Sequence, residues 1–346
     1  MRRLLMIPAV LALVVLNSIG VRAADEVTEF HLEAEGHRPQ AITPGTDGNL
    51  WVTEVIKHKI LRVTPAGKIT EFPVPGEGVG VLQGIACGSD GNLYFTSREE
   101  NSIRRLALNG TFNGNFKIPA EATDGNKMTK SSWPRVIIPG PDGNCYFAEM
   151  AANNIGSISP KGEIKEFPIP TQKSAPYGLT VGADKNIWFA ESMGNKIGRL
   201  DLKTGKIDEF EIPTAGSFTR ELASGADGGI WFAENHGNKI GRLDPKTGKI
   251  TEFPIPTAAA QPVGVAAGPD GNVWVCLFKV GKVAKVTPKG EITEIALSAA
   301  DTQPFCICAG PDGNIWVALQ KNSIARITVN GKTSAAANIP AKAEFK

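Results

Sequence analysis

Histidine, tyrosine, methionine and cysteine are all scarce in this chain of 346 residues, with four, three, five and five copies. The histidines, His31, His37, His58 and His236, are too few and too scattered for a multi-histidine copper or zinc centre. Cys87, Cys145, Cys276, Cys306 and Cys308 form an odd set, which leaves at least one thiol unpaired. Neither sign of charge is in excess: 37 basic residues face 35 acidic ones, for a formal charge of +2. That balance argues against a nucleic-acid partner, which needs a basic stripe. Long apolar runs are missing too, apart from residues 4–15, which are too short to cross a bilayer unaided. With Arg2 and Arg3 before it and Val21-Arg22-Ala23 after it, this run reads as a secretory signal peptide, residues 1–23. Its removal takes away three arginines and no acid, and leaves a chain close to neutral. The mature protein is therefore expected in a periplasm or outside the cell, without membrane insertion and as a monomer.

What the chain has in quantity is a repeat. An Asp that precedes Gly or Lys and then a stretch with an apolar pair recurs at Asp47, Asp90, Asp142, Asp184, Asp227, Asp270 and Asp312. The spacing is about 42 residues throughout, with one insertion of roughly ten between the second and third marks, and this period suits a four-stranded propeller blade. Within residues 219–256, four strands are expected at 220–224, 230–234, 239–243 and 249–255, separated by Asp-Gly and Gly-Asn turn signals. The second reads Ile-Trp-Phe-Ala, apolar on both faces, as a strand sandwiched between neighbouring blades should. The fourth alternates and contains Pro254, which suits a sheet edge. The fold class that follows is all-β: a seven-bladed propeller of four-stranded antiparallel blades over residues 24–333, followed by a tail, 334–346.

An orphan strand at residues 27–32, Val-Thr-Glu-Phe-His-Leu, matches the fourth strand of the repeat although no first three precede it. It is expected to close the ring by completing the last blade, whose own fourth segment near Lys332 is poor in β-branched and aromatic residues. The alternative is that the C-terminal segment supplies that strand.

Aligning the repeats exposes one position that varies between blades, at the entry to the first strand: Gln40, Gln83, Arg135, Tyr177, Arg220, Val263 and Phe305. A second set closes the second strands: Glu54, Ser97, Glu149, Glu191, Glu234, Leu277 and Leu319. Both are expected on the face where the channel opens, polar in blades one to five and apolar in six and seven. Such a mouth suits an amphipathic small molecule or peptide. The insertion, residues 120–133, should overhang it with Lys127, Met128, Lys130 and Trp133. The recurring glutamates read most simply as acceptors for the following loop or partners of its lysine. His236 beside Glu234, and Glu191, are the candidates for acid and base chemistry; the plain reading of His236 and His58 is as turn residues. The cysteines replace small or apolar residues of the repeat, so buried thiols are expected, with a bridge from Cys276 to Cys306 or Cys308 as the other possibility.

The runs Gly-Pro-Asp-Gly-Asn-Ile-Trp at 310–316, Gly-Asn-Lys-Ile-Gly-Arg-Leu at 237–243 and Lys-Ile-Thr-Glu-Phe-Pro-Ile-Pro-Thr at 249–257 resemble the virginiamycin B lyase (streptogramin lyase) family. The resemblance spans about residues 27 to 333. It implies opening of the macrocyclic ester of a streptogramin B antibiotic by elimination, with a divalent metal such as magnesium and a histidine base. It also implies a Glu-Pro-His entry to the last blade, where this chain has Gln303-Pro304-Phe305. A second family histidine falls on Val263, and a metal-binding glutamate falls near Gln320. Phenylalanine and valine cannot accept a proton, and a neutral amide is a weak ligand for magnesium. Two functions follow: a lyase-like enzyme with a relocated acid and base, or an exported propeller that binds a peptide, glycan or protein through the mouth without chemistry.

Overall fold

The computed structural model describes residues 25–33, 35–76, 79–120 and 131–329. Residues 1–23, read above as a signal peptide, lie outside them, as do Lys127, Met128, Lys130 and the segment around Lys332. Seven four-stranded antiparallel sheets form the ring. The fifth is Thr219–Ser224, Ile230–Glu234, Lys239–Leu243 and Ile250–Pro254, within a residue of the strands read from the sequence. The orphan strand, Val27–His31, pairs antiparallel with Ser323–Ile327 and completes the seventh blade. Closure by the N-terminal strand is thus the arrangement adopted.

The second strand of each blade is buried along its whole length, as its apolar run requires, except for half-buried Asn92 at the start of the second blade's, while the fourth mostly alternates half-buried and exposed positions. The recurring Asp does more than shape a turn. Asp47, Asp184, Asp227, Asp270 and Asp312 each accept the indole N–H of the tryptophan four residues on, at 3.0–3.2 Å. In blades two and three Asp90 and Asp142 accept the hydroxyl of Tyr94 and Tyr146 in the same way. A large ring whose polar tip is bonded can be buried without an orphaned donor, and all five of these tryptophans are fully buried.

The innermost strands approach so closely that alternate blades can carry only glycine facing the neighbour. A Cβ on Gly84, Gly178 or Gly264 would lie 2.7, 2.6 or 2.4 Å from the carbonyl oxygen of Arg135, Arg220 or Phe305 on the next blade. Gly178→Ala is accordingly expected to cost about 1–3 kcal/mol by overpacking against fixed backbone, read as a lower urea midpoint. An unchanged midpoint would show that these strands can part at no cost.

The cysteines are all free. Cys276 packs between blades six and seven, whereas Cys306 and Cys308 lie on the opposite face of the seventh blade, against blade one. The sheet itself separates the sulfurs, which overturns the suggested bridge. Burial pushes these thiols up, Cys306 to about 12, so they carry no reactive thiolate.

Candidate functional site

Each first strand is irregular at its entry. The pairing register shifts between Pro39 and Ile42, Leu82 and Ile85, Pro134 and Ile137, Pro176 and Leu179, Thr219 and Leu222, Pro262 and Val265, and Pro304 and Cys306. A bulge re-aims the side chains it carries, and the residues so placed are the seven that differ between blades. Gln40, Gln83, Arg135, Tyr177 and Phe305 line a cavity of about 180 Å³ at the channel.

On the polar side these side chains form one connected chain. Arg38 donates to Gln320 Oε1 at 2.9 Å, Gln320 to Gln40 Oε1 at 2.6 Å, and Gln40 to Gln83 Oε1 at 3.2 Å. Arg135 donates to the same Gln83 oxygen at 3.2 Å. From Arg135 the contacts become aromatic. Its guanidinium lies 5.3 Å from the Tyr177 ring centre, and that of Arg220 lies 4.9 Å from it. Arg220 is also 4.7 Å from Phe218, which stacks on His236 at 4.6 Å. The apolar side holds Val263 and Phe305, the latter edge-on to Phe278 at 6.1 Å. Of the residues expected at the mouth, Gln40, Gln83, Arg135, Tyr177 and Phe305 line the cavity, and the second-strand set does not.

Other predicted residues fall elsewhere. Trp133 lies 5.5 Å from the Arg98 guanidinium and accepts the Met150 N–H through its carbonyl, which places it at the junction of blades two and three. His236 is exposed at the rim, whereas Glu234 and Glu191 are fully buried, and no ion pair joins His236 to an acid among the described residues. The second-strand glutamates do not line the cavity. Glu54 accepts the backbone N–H groups of Arg38, Ile56 and Lys57, as the sequence suggested. Glu149, Glu191 and Glu234 have no hydrogen-bond partner on either oxygen. The difference lies in the turn: the amides equivalent to Ile56, those of Ala151, Met193 and His236, donate instead to the carbonyls of Ser132, Ser174 and Ser217. The lysines that follow pair with fourth-strand acids, Lys196 with Glu209 and Lys239 with Glu252. Burial, reinforced by Glu166, Glu209 and Glu252, pushes the three orphaned carboxyls up to about 8, 8 and 7. His58 sits at positive φ where later blades have Asn or, in blade six, Gly281, and its Nδ1 donates to the Gly80 carbonyl at 2.7 Å, so it is a turn residue.

One residue of the channel wall went unread in the sequence. Glu221 lines the cavity at a position held elsewhere by Ala41, Gly84, Val136, Gly178, Gly264 and Cys306. Gly178 leaves room for it: a Cβ there would lie 2.8 Å from the Glu221 carboxylate. Burial, opposed by neighbouring Arg220, pushes this carboxyl up to about 7. An acid among small residues, in one copy of seven, was the available signal.

Fold and site together define a ring-closed, seven-bladed propeller with an amphipathic pocket on its axis. The model of the virginiamycin B lyase family matches residues 12–125 and 121–344, and the chain belongs to that family. A virginiamycin B lyase of Nocardia farcinica is 27% identical over 161 residues, 46% of this chain and 51% of that protein, so the match spans about half of that relative's length. Selenomethionine-substituted virginiamycin B lyase from Staphylococcus aureus is 32% identical with a TM-score of 0.80, covering 88% of this chain and 100% of that one. A catalytically inactive form of the Staphylococcus aureus enzyme, with quinupristin, has the same identity and coverage and a TM-score of 0.81. The WD40 propeller domain of Doa1, at 14% identity, a TM-score of 0.68, and coverage of 87% of this chain and 97% of that one, shares the fold alone.

Proposed function

We propose that this chain is an exported binding propeller of the virginiamycin B lyase family, whose mouth takes up a small molecule or peptide without opening it by elimination. The observation that carries this reading is the hydrogen-bonded chain Arg38, Gln320, Gln40, Gln83 and Arg135 along the polar half of the mouth. The family resemblance puts a magnesium-binding carboxylate near Gln320. The Gln320 oxygen here already accepts from a guanidinium, so a divalent cation would meet a like charge and neutral amides instead of carboxylate oxygen. Among the described residues no three His, Cys, Asp or Glu side chains gather with metal-binding spacing. Phe305 and Val263, where the resemblance puts the family's histidines, offer no proton acceptor. The residues present do not fit a magnesium-assisted elimination.

The second reading, an altered lyase, draws on Glu221, an acid in the channel wall beside Arg220. Export rests on the signal peptide, and a monomer is the state we assign. Incubating the purified mature chain with a streptogramin B depsipeptide and magnesium, followed by chromatography and mass spectrometry, separates the two readings. Intact macrocycle is expected under conditions where a virginiamycin B lyase turns over. Linear product that vanishes with chelator would overturn the binding reading.

A further inference from the structure

We propose that Arg135, Tyr177 and Arg220 form a carboxylate-binding site, and that the ligand of the mouth is an acid with an apolar body. This deepens the binding reading above and rests on it. The two guanidiniums share the Tyr177 ring, at 5.3 and 4.9 Å from its centre. Stacking satisfies their flat faces but not their N–H edges. The Nε of each is buried and has no acceptor, and Arg135 spends one terminal N–H on a neutral amide oxygen.

Arg98, Arg104, Arg105, Arg199 and Arg242 each have a carboxylate partner, whereas Arg135 and Arg220, like Arg38, Arg62 and Arg326, have no ion pair among the described residues. Arg326 also has a buried Nε without an acceptor, but it lies over Phe30 and Trp316 and does not line the cavity. The acid beside Arg220 does not serve. Glu221 follows Arg220 in the channel wall, where burial favours its neutral form. Two cations with unused donors against one buried tyrosine, Arg135 in the cavity wall and Arg220 beside Glu221 of that wall, are a cost that a bound anion offsets. A carboxylate matches the fork of a guanidinium, which offers two parallel N–H groups. Across the cavity Phe305 and Ile307, with Phe278 behind, supply the wall for the apolar end.

Calorimetry with N-acetyl-L-phenylalanine, its neutral amide and phenyl phosphate tests this on the unmodified mature chain. The acid is expected to bind at least about tenfold more tightly than the amide, the equivalent of one charge-assisted hydrogen bond. Arg135→Gln and Arg220→Gln should each erase that preference, while Arg220→Lys, which keeps the charge but not the fork, should retain part of it. Equal affinity for acid and amide, or binding of neither, would overturn the proposal without needing a variant. Tighter binding of phenyl phosphate would overturn the carboxylate assignment in favour of a phosphate. Linear product in the depsipeptide assay together with a preserved acid preference would defeat the binding reading alone; no turnover and no acid preference would defeat this inference alone.

Discussion

A chain that begins after residue 31, and so lacks the strand Val27–His31, is expected to unfold at a much lower temperature and to expose dye-binding apolar surface. The strand is joined to the seventh blade by five facing pairs, from Val27 opposite Ile327 to His31 opposite Ser323. It also ties three blades together. Phe30 stacks on Trp316, 5.5 Å between ring centres, and covers Gly67 of blade one so tightly that a Cβ there would lie 2.1 Å from the ring. Glu29 accepts the Ser298 N–H at 3.0 Å, and Asp25 forms an ion pair with Lys285, both beside blade six. Without the strand, Ser323–Ile327 becomes an open edge at the seam of the ring, a template for association between chains. Phe30→Ala alone should cost about 3 kcal/mol, at the low end for a buried aromatic because Phe30 is only half-buried. For a domain of this size that is a drop of about 6 °C in Tm. The truncation should cost more. Appending the same segment behind residue 329 should restore the transition, since the blade would then close by an ordinary hairpin. A truncated chain that melts with the intact one would refute the seam as the weak point.

Stability should fall as pH rises from 5 to 8, chiefly through the three orphaned glutamates, with Glu221 in the channel wall adding to the same limb. In the unfolded chain Glu149, Glu191 and Glu234 ionise at the ordinary value of 4.5; in the fold they hold their protons up to about 8, 8 and 7. Between those limits the folded state binds protons that the unfolded state has released, so each pH unit gained removes about 1.4 kcal/mol per group. The contribution is complete below the unfolded value and lost as pH passes through the folded one. Glu209, Glu252 and Glu294, held low against burial by lysine and threonine partners, act in the opposite sense, and their contribution fades only below pH 4.5. Urea titrations across this range should place the maximum near pH 5. Replacing all three glutamates by glutamine should flatten the alkaline limb and raise stability at pH 8 by several kcal/mol, with little gain at pH 5. Parallel profiles for the two chains would refute this assignment.

Much of the fold could be read from the chain because propeller blades are local. Hairpins join residues close in sequence, so Asp-Gly turns, the buried Ile-Trp-Phe-Ala strand and the alternating fourth strand each announced themselves. The ring closure was legible for a related reason: residues 27–32 carry the signature of a strand whose partners are absent nearby. Legibility thinned at the site. The seven variable positions were visible as exceptions to the repeat, and Gln40, Gln83, Arg135, Tyr177 and Phe305 do line the cavity. Their partnerships were not visible. Whether Glu54 or Glu191 receives the turn amides depends on a carbonyl in the preceding loop, at Ser174 in the second case.

By itself, then, the sequence determined the number of blades, the strand that closes them and the strand-entry positions that vary between blades, because these depend on local periodicity and on departures from it. Tertiary structure alone decided which ionisable groups face the channel. Glu221 enters it because Gly178 on the neighbouring blade yields the space, while Glu191 and Glu234 are sealed between blades. The direction and solvation of a carboxylate are set by contacts between blades some 42 residues apart, and no short-range pattern encodes them.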